Sequence, residues 1–201
     1  MDVRPIGMGR RAWTSRLFED DTDMFRRACW PLQVALGVHA AMPKLFMTLA
    51  EHMHAHPTHV LLKLDFTNAF NTVWCAATLR ACLDKPEWRH LYRFLWTTLP
   101  HAVQAFIKGS GVTYDEGAQQ GDVAGPHIFR MPVKKHAEWA LSELKKVDGM
   151  TRFDMDDGYF VGPIEEVMRV IVEFKYWMAQ FVGANLNPPQ VQAIVSLEHP
   201  G

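Results

Sequence analysis

The sequence predicts an α+β fold, in which helices back an antiparallel sheet. Apolar residues recur at helical spacing in several segments, and short β-rich runs separate these segments without a regular βαβ alternation. The 201 residues fit one domain, and 48% hydrophobic residues against 21% charged residues supply the side chains of a large core.

The order of the elements follows from local patterns along the chain. Helices are predicted in 10–28, 39–55, 72–83 and 86–99, a strand in 59–66, a hairpin around 102–111, a helix after Pro126, a hairpin around 152–162, a helix from Ile164 and a last short strand, QAIVSL. The helix from Ile164 is strongly amphipathic, and Gly183 is predicted to end it.

Bulk composition excludes several classes of protein. The net charge of −1 and the pI of about 6.8 give no support for nucleic-acid binding, so such a site has to be local or depend on bound metal. Three cysteines without a CxxC pair favour a reducing compartment. Because we find no signal peptide and no apolar run of about 18 residues, we expect an intracellular protein of the nucleus or cytoplasm, neither secreted nor membrane-bound.

Three carboxylates are predicted to lie at strand ends. Asp65 ends the first β-rich run, and Asp156 and Asp157 form the tight turn of a hairpin in which Gly158 supplies backbone freedom. If the two strands are neighbours, these side chains converge. Carboxylates without a basic partner suit a hard ion such as Mg²⁺. The alternative to a metal site is that Asp156 and Asp157 only stabilise a turn, where aspartate is common.

The histidine-rich segment EHMHAHPTH fits neither a zinc finger nor a clean helical pair of ligands. We interpret it as a solvated helix end and loop.

The order of the motifs resembles a known family. RPIGMG, LLKLDFTNAFNTVW, EGAQQGDVAGPHIF, MDDG and VGANLN follow one another over residues 4 to about 190. This series resembles the reverse transcriptase (RNA-directed DNA polymerase) domain of non-LTR retrotransposons. The resemblance implies a polymerase palm with partial fingers and no thumb, the partial fingers in 1–58 and the palm in 59–201.

The resemblance also implies the site residues. Asp65, Asp156 and Asp157 are expected to be catalytic and to hold two Mg²⁺ or Mn²⁺ ions, with Asp156 the stronger ligand of the adjacent pair. The residues expected to bind substrate are Arg4, Phe66, Thr67, Asn68, Ala69, Phe70, Gln120 and Gly121. Within this set the backbone of 66–69 is expected to cradle a triphosphate, and Phe70 to exclude a 2′-hydroxyl.

The implied reaction is nucleotidyl transfer to a primer 3′-hydroxyl, with an RNA template, a DNA primer and deoxynucleoside triphosphates as partners. Duplex binding depends on lysine and arginine contacts that a thumb supplies, so the chain is expected to be a fragment. Two departures favour an alternative. Asp154 stands where the family usually has an aromatic residue, and Gln190 where it often has lysine. The alternative is a non-catalytic, reverse-transcriptase-like scaffold or interaction protein, from a degenerate or domesticated element.

Overall fold

The structure, a computed structural model, describes residues 8–34, 38–99, 103–107, 110–114, 116–118 and 122–195. The helices are α1 (Met8–Asp20), α2 (Thr22–Cys29), α3 (Ala41–Ala55), α4 (Ala69–Thr72), α5 (Cys75–Asp84), α6 (Tyr92–Thr98), α7 (Gly125–Lys145) and α8 (Ile164–Trp177). The strands are β1 (Val60–Leu64), β2 (Phe66–Thr67), β3 (Val103–Ile107), β4 (Ser110–Tyr114), β5 (Met150–Asp154), β6 (Asp157–Gly162), β7 (Asn185–Leu186) and β8 (Gln192–Val195).

An antiparallel sheet with the strand order β5-β6-β1-β8 forms the centre of the molecule. Two further antiparallel pairs, β2–β7 and β3–β4, lie outside this sheet in the described residues. Helices α7 and α8 contact the sheet and each other. The predicted α+β architecture with a helix-backed antiparallel sheet is therefore confirmed.

The alternation in β1 explains which face of the sheet is packed. Val60, Leu62 and Leu64 belong to the main core, whereas Leu61 joins a smaller cluster on the other face. Successive side chains of a strand point to opposite faces, so Lys63 and the residue that follows the strand share the face of Leu61. This is the orientation that the sequence predicts.

Helix α8 covers the sheet with its buried face of Val167, Val170, Ile171 and Phe174. The Phe174 ring lies 5.3 Å from the Phe160 ring and 5.9 Å from the Phe153 ring, centroid to centroid. A five-residue π-helical turn, Met178–Val182, extends α8 until Gly183, whose φ of 82° is left-handed. Gly183 ends the helix as predicted.

The segment after Pro86 differs from the expected continuous α-helix. Pro86–Leu91 forms a 3₁₀ helix, and α6 begins only at Tyr92. Trp88 and Leu91 are both buried. Their spacing of three residues places them on one side of a 3₁₀ helix, which has three residues per turn.

The N-terminal helices share the main core with the rest of the chain. The imidazole of His127 on α7 stacks on the ring of Phe18 at 4.3 Å and lies 4.5 Å from the ring of Phe25. The boundary between 58 and 59 stays a prediction. In the described part of the chain, no helix is both long and apolar enough to cross a bilayer.

His127 makes the fold sensitive to acid. Its pKa is lowered from 6.5 to about 3, first by burial and then by the charge of Arg130. The unfolded chain therefore takes up this proton as the pH falls below 6.5, whereas the folded chain does not, and stability is lost toward the folded pKa. We expect His127→Phe to reduce the loss of unfolding free energy between pH 7 and pH 4.5 by about 1–3 kcal/mol. Urea unfolding at both pH values measures this, and parallel pH curves for the two proteins would contradict it.

The histidine-rich segment is more ordered than a solvated loop. The rings of His52, His56 and His59 stack, with centroids 4.6 Å apart for both His52–His56 and His56–His59. His59 is buried, so the expectation of a solvated segment is wrong for this residue. Burial and the neighbouring imidazoles lower the pKa of His52 to about 4.

Candidate active site

Asp65 lies where the chain leaves the central sheet between β1 and β2. Pairing of β2 with β7 places Phe66 opposite Leu186 and brings Asn187 beside Asp65. The Asn187 side-chain amide donates to Asp65 Oδ2 at 3.0 Å, and the Asn187 backbone N–H donates to the Asp65 carbonyl at 2.8 Å. The half-buried carboxylate of Asp65 is thus held in one orientation.

Asp154–Asp157, here called the aspartate turn, joins β5 to β6. Asp154 pairs with Asp157 across the hairpin, and Met155 adopts a left-handed φ of 56°. The expectation that Gly158 supplies backbone freedom is wrong, because the positive φ belongs to Met155. A Cβ on Gly158 would lie 2.9 Å from the ring of Phe153, so this glycine is required for close packing of aromatic rings under the turn.

The register of the sheet brings Asp65 to the aspartate turn. Strand β1 pairs antiparallel with β6, and Leu64 lies opposite Gly158. The predicted neighbourhood of the two strands is confirmed. The pKa of Asp156 is raised, mainly by burial, and the negative charges of Asp157, Asp65 and Asp154 raise it further. A cation beside Asp156 would relieve this repulsion.

Asp157 has a basic partner, contrary to expectation. Lys63 Nζ lies 2.8 Å from Asp157 Oδ2, and this bond is the main cause of the raised pKa of Lys63. Both side chains are more than two-thirds buried, so solvent screens the pair weakly. Asp157 is therefore already neutralised, whereas Asp156 is not paired with Lys63.

Two carboxylates of the site have the chemistry that a divalent ion requires. Among the described residues, no group of three or more His, Cys, Asp or Glu side chains is placed to hold a metal ion. Asp65 and Asp156 remain as two carboxylates within electrostatic reach of each other. Their hard oxygen ligands match the chemistry of Mg²⁺ or Mn²⁺.

The predicted triphosphate turn follows Asp65 directly. Phe66 and Ala69 are buried, whereas Thr67 and Asn68 are exposed. Asn68 is left-handed, with φ 49°, and its carbonyl accepts the N–H groups of 71 and 72 at the start of α4. Thr67 and Asn68 are therefore the part of this turn that is accessible from solvent.

Phe70 is half-buried at the edge of the same site. Its ring meets the ring of Phe129 edge-on at 5.8 Å, and a Cβ on Gly125 would lie 4.0 Å from it. The Phe70 carbonyl accepts the Ala118 N–H at 2.6 Å. Phe70 is thus held between α7 and the segment 116–118.

Gly117 lies in 116–118, here called the glycine-rich loop, and packs closely against the backbone of Phe70. Its φ is +69°, and a Cβ there would lie 2.3 Å from the Phe70 carbonyl oxygen. The neighbouring Glu116 accepts the Cys75 N–H at 2.7 Å at the start of α5. Gln120, Gly121 and Arg4 lie outside the described residues.

Gly117→Ala is expected to lower the free energy of unfolding by about 2–4 kcal/mol, because the methyl group meets backbone and the φ is unfavourable. Gly125→Ala is the matched control. Its Cβ would meet only side chains at ordinary van der Waals distance, Ala118 Cβ at 3.6 Å and the Phe70 ring at 4.0 Å, and we expect a change within about 1 kcal/mol. Equal effects of the two substitutions in denaturant unfolding would contradict this account of the loop.

Three residues of the site were not predicted: Lys63, Asn187 and Gln33. Strand alternation places Lys63 on the face of Asp65, so a signal for it existed. Asn187 lies in the VGANLN motif without an assigned role. Gln33 has no local signal, yet its side-chain amide donates to the Met155 carbonyl at 2.7 Å.

The two departures from the family pattern lie at different distances from the turn. Asp154 belongs to the aspartate turn, and its pKa is raised by burial and by Asp157. Gln190 is exposed at the end of a 3₁₀ turn, Pro188–Gln190, and donates its backbone N–H to the Asn187 carbonyl.

Comparison with solved structures finds the same fold in telomerase from Candida tropicalis. A structure of the apo telomerase matches 92% of this chain and 37% of its own length, with a TM-score of 0.67 and 9% identity. A structure truncated from the C-terminal domain matches 100% of this chain and 45% of its own length, with a TM-score of 0.58 and 9% identity. This chain has a reverse-transcriptase-like fold.

The reverse-transcriptase-like fold spans less than half the length of each of these telomerase chains. No protein-family model and no curated protein sequence matches the chain. At 9% identity the likeness concerns the fold alone. The finer assignment to non-LTR retrotransposons stays a proposal.

Proposed function

We propose that the chain is the palm, with part of the fingers, of an RNA-directed DNA polymerase of the non-LTR retrotransposon type. The observation that carries this proposal is the register of β1 and β6. It places Asp65 beside an aspartate turn 90 residues away, within a reverse-transcriptase-like fold. Intracellular partners of this function are an RNA template, a DNA primer and deoxynucleoside triphosphates.

In this proposal Asp65 and Asp156 are the principal ligands of Mg²⁺ or Mn²⁺, and Asp157 is the third carboxylate of the site. Divalent ions held by these carboxylates would supply a lower pKa for the attacking hydroxyl and charge neutralisation for the transferred phosphate. Asn187 keeps Asp65 oriented through its 3.0 Å hydrogen bond. Lys63 supplies one positive charge at Asp157, which the resemblance implies is a metal ligand.

The substrate groups of the proposal surround this pair. The exposed backbone at Thr67 and Asn68 contacts the triphosphate, and the fixed ring of Phe70 excludes a 2′-hydroxyl from the sugar position. Gln120 and Gly121 contact the nascent base pair, and Arg4 binds phosphate. These last three roles rest on the resemblance.

The second candidate is a non-catalytic scaffold of the same fold that binds a protein partner. Two observations favour it: the ion pair that already neutralises Asp157, and the additional carboxylate of Asp154.

Primer extension on an RNA template with Mg²⁺ or Mn²⁺ tests the proposal. We compare the full chain with Asp65→Asn and with Asp148→Asn, a control in an exposed turn before β5. Asp148 has a φ of 56°, which asparagine also adopts readily. The proposal expects extension by the wild type and by the control, and none by Asp65→Asn. Equal inactivity of all three chains, each folded by circular dichroism, would favour the scaffold.

A further inference from the structure

We propose that Gln33 is a positioning residue for the aspartate turn, and that buried Arg130 fixes the other end of its amide. The functional meaning of this inference rests on the proposed function, because the turn carries Asp156. That Gln33 holds the turn in place does not depend on the proposed function.

The segment around Gln33 runs beside the first strand of the hairpin. The Phe153 N–H donates to the Leu32 carbonyl at 2.6 Å, and the Val34 N–H donates to the Phe153 carbonyl at 2.9 Å. Gln33 forms an isolated parallel bridge with Phe153. These bonds place the Gln33 side chain directly under the turn, where Nε2 donates to the Met155 carbonyl at 2.7 Å.

The bonded carbonyl belongs to the peptide unit that leads into Asp156. A peptide unit is planar, so fixing the Met155 carbonyl also fixes the direction of the Asp156 N–H. Met155 has a φ of 56°, which is unfavourable for a side chain without a local hydrogen-bonding group. Such a conformation persists only where the surroundings hold it. Gln33 supplies the side-chain contact that holds this one.

The other end of the Gln33 amide lies in the same buried cavity as the guanidinium of Arg130. Gln33 is 8% exposed and Arg130 is 2% exposed. Gln33 Oε1 and all three guanidinium nitrogens of Arg130 are buried without a hydrogen-bond partner among the described residues. Both side chains line one cavity of about 10 Å³, together with the thiol of Cys29, which is a weak acceptor.

The hydrogen-bond acceptor in this cavity, Gln33 Oε1, is complementary to the guanidinium donors of Arg130. A cavity of this size holds about one water molecule, which would accept from Arg130 and donate to Gln33 Oε1. The guanidinium lies 5.6 Å from the centre of the Phe25 ring, a distance at which the ring attracts the cation. The amide of Gln33 is therefore held between a buried cation and the carbonyl of the turn.

Gln33→Glu separates positioning from general stability. Glutamate has nearly the same shape, but its carboxylate cannot donate to the Met155 carbonyl. The same carboxylate neutralises Arg130. The inference therefore expects two opposite changes in this variant: a looser turn and a higher melting temperature. Gln33→Ala is expected to loosen the turn without the gain in melting temperature.

Hydrogen exchange followed by mass spectrometry, together with thermal unfolding, measures both changes in the full chain. We expect exchange in 154–158 to rise about three- to tenfold in both Gln33 variants, the loss that one hydrogen bond produces, with α8 unchanged. Gln180→Glu, the same chemical change at an exposed site, is the control and should behave as the wild type. Unchanged exchange of the turn in Gln33→Glu overturns the inference, and so does a rise that α8 shares equally.

The exchange measurement does not depend on polymerisation. If the wild type fails to extend a primer but the turn loosens selectively, the proposed function fails and the positioning role stands. If the wild type is active, Gln33→Glu should lower kcat while KM for the nucleotide stays unchanged. Full kcat in Gln33→Glu would overturn the positioning role and leave the proposed function intact.

Discussion

Asp156→Asn is expected to lower primer extension on the order of 10³-fold, whereas Asp157→Asn lowers it by about tenfold or less. The two aspartates are adjacent in sequence but differ in their surroundings. Lys63 already neutralises Asp157 at 2.8 Å, whereas burial, and then the neighbouring carboxylates, raise the pKa of Asp156. The carboxylate of Asp156 therefore contributes most to the electrostatic attraction of a cation bound at the site.

Single-turnover extension with saturating nucleotide measures this contrast, because it reports the chemical step apart from primer release. Asp148→Asn again serves as the control for the change in charge. Equal losses of primer extension for Asp156→Asn and Asp157→Asn would contradict the account, because they would show that neutralisation by Lys63 does not reduce the contribution of Asp157.

Lys63→Met is expected to lower the free energy of unfolding at pH 7 by about 1–2 kcal/mol. The methionine keeps the length of the side chain, but Asp157 loses its counter-charge and stays beside other carboxylates. The pKa of Lys63 is raised above 10.5 in the folded chain, mainly by its bond to Asp157. The ion pair therefore stabilises the fold below pH 10.5, and this contribution is lost as the pH rises through the folded pKa.

Urea unfolding of both proteins at pH 7 and at pH values above 10.5 checks this prediction. The difference between them should shrink at the higher pH, and millimolar Mg²⁺ should stabilise Lys63→Met more than the wild type. Lys145→Met, at the exposed end of α7, is the control. A destabilisation independent of pH would assign the effect to packing instead of charge.

Much of the site could be predicted because its parts are local. Strand alternation gave the face of Asp65, and a tight hairpin gave the position of Asp156. The order of the motifs then led to the reverse-transcriptase-like fold that the telomerase structures share. Each of these signals depends on residues that are close together in the sequence.

The supporting contacts depend on tertiary register and could not be predicted. Gln33 and Met155 are 122 residues apart, and no local pattern pairs them. Lys63 could be placed on a face of β1, but its partner depends on how β6 aligns with β1. Glycine is common in turns, so the sequence predicts backbone freedom at Gly158, whereas close packing against the Phe153 ring requires glycine there.

Binding of Mn²⁺, followed by electron paramagnetic resonance, tests most directly whether Asp65 and Asp156 form one cation site. We expect the full chain to bind Mn²⁺, and Asp65→Asn and Asp156→Asn each to weaken binding by about tenfold or more. Asp148→Asn should bind as the wild type does. Absence of binding by the wild type, or binding that neither substitution weakens, would contradict the account.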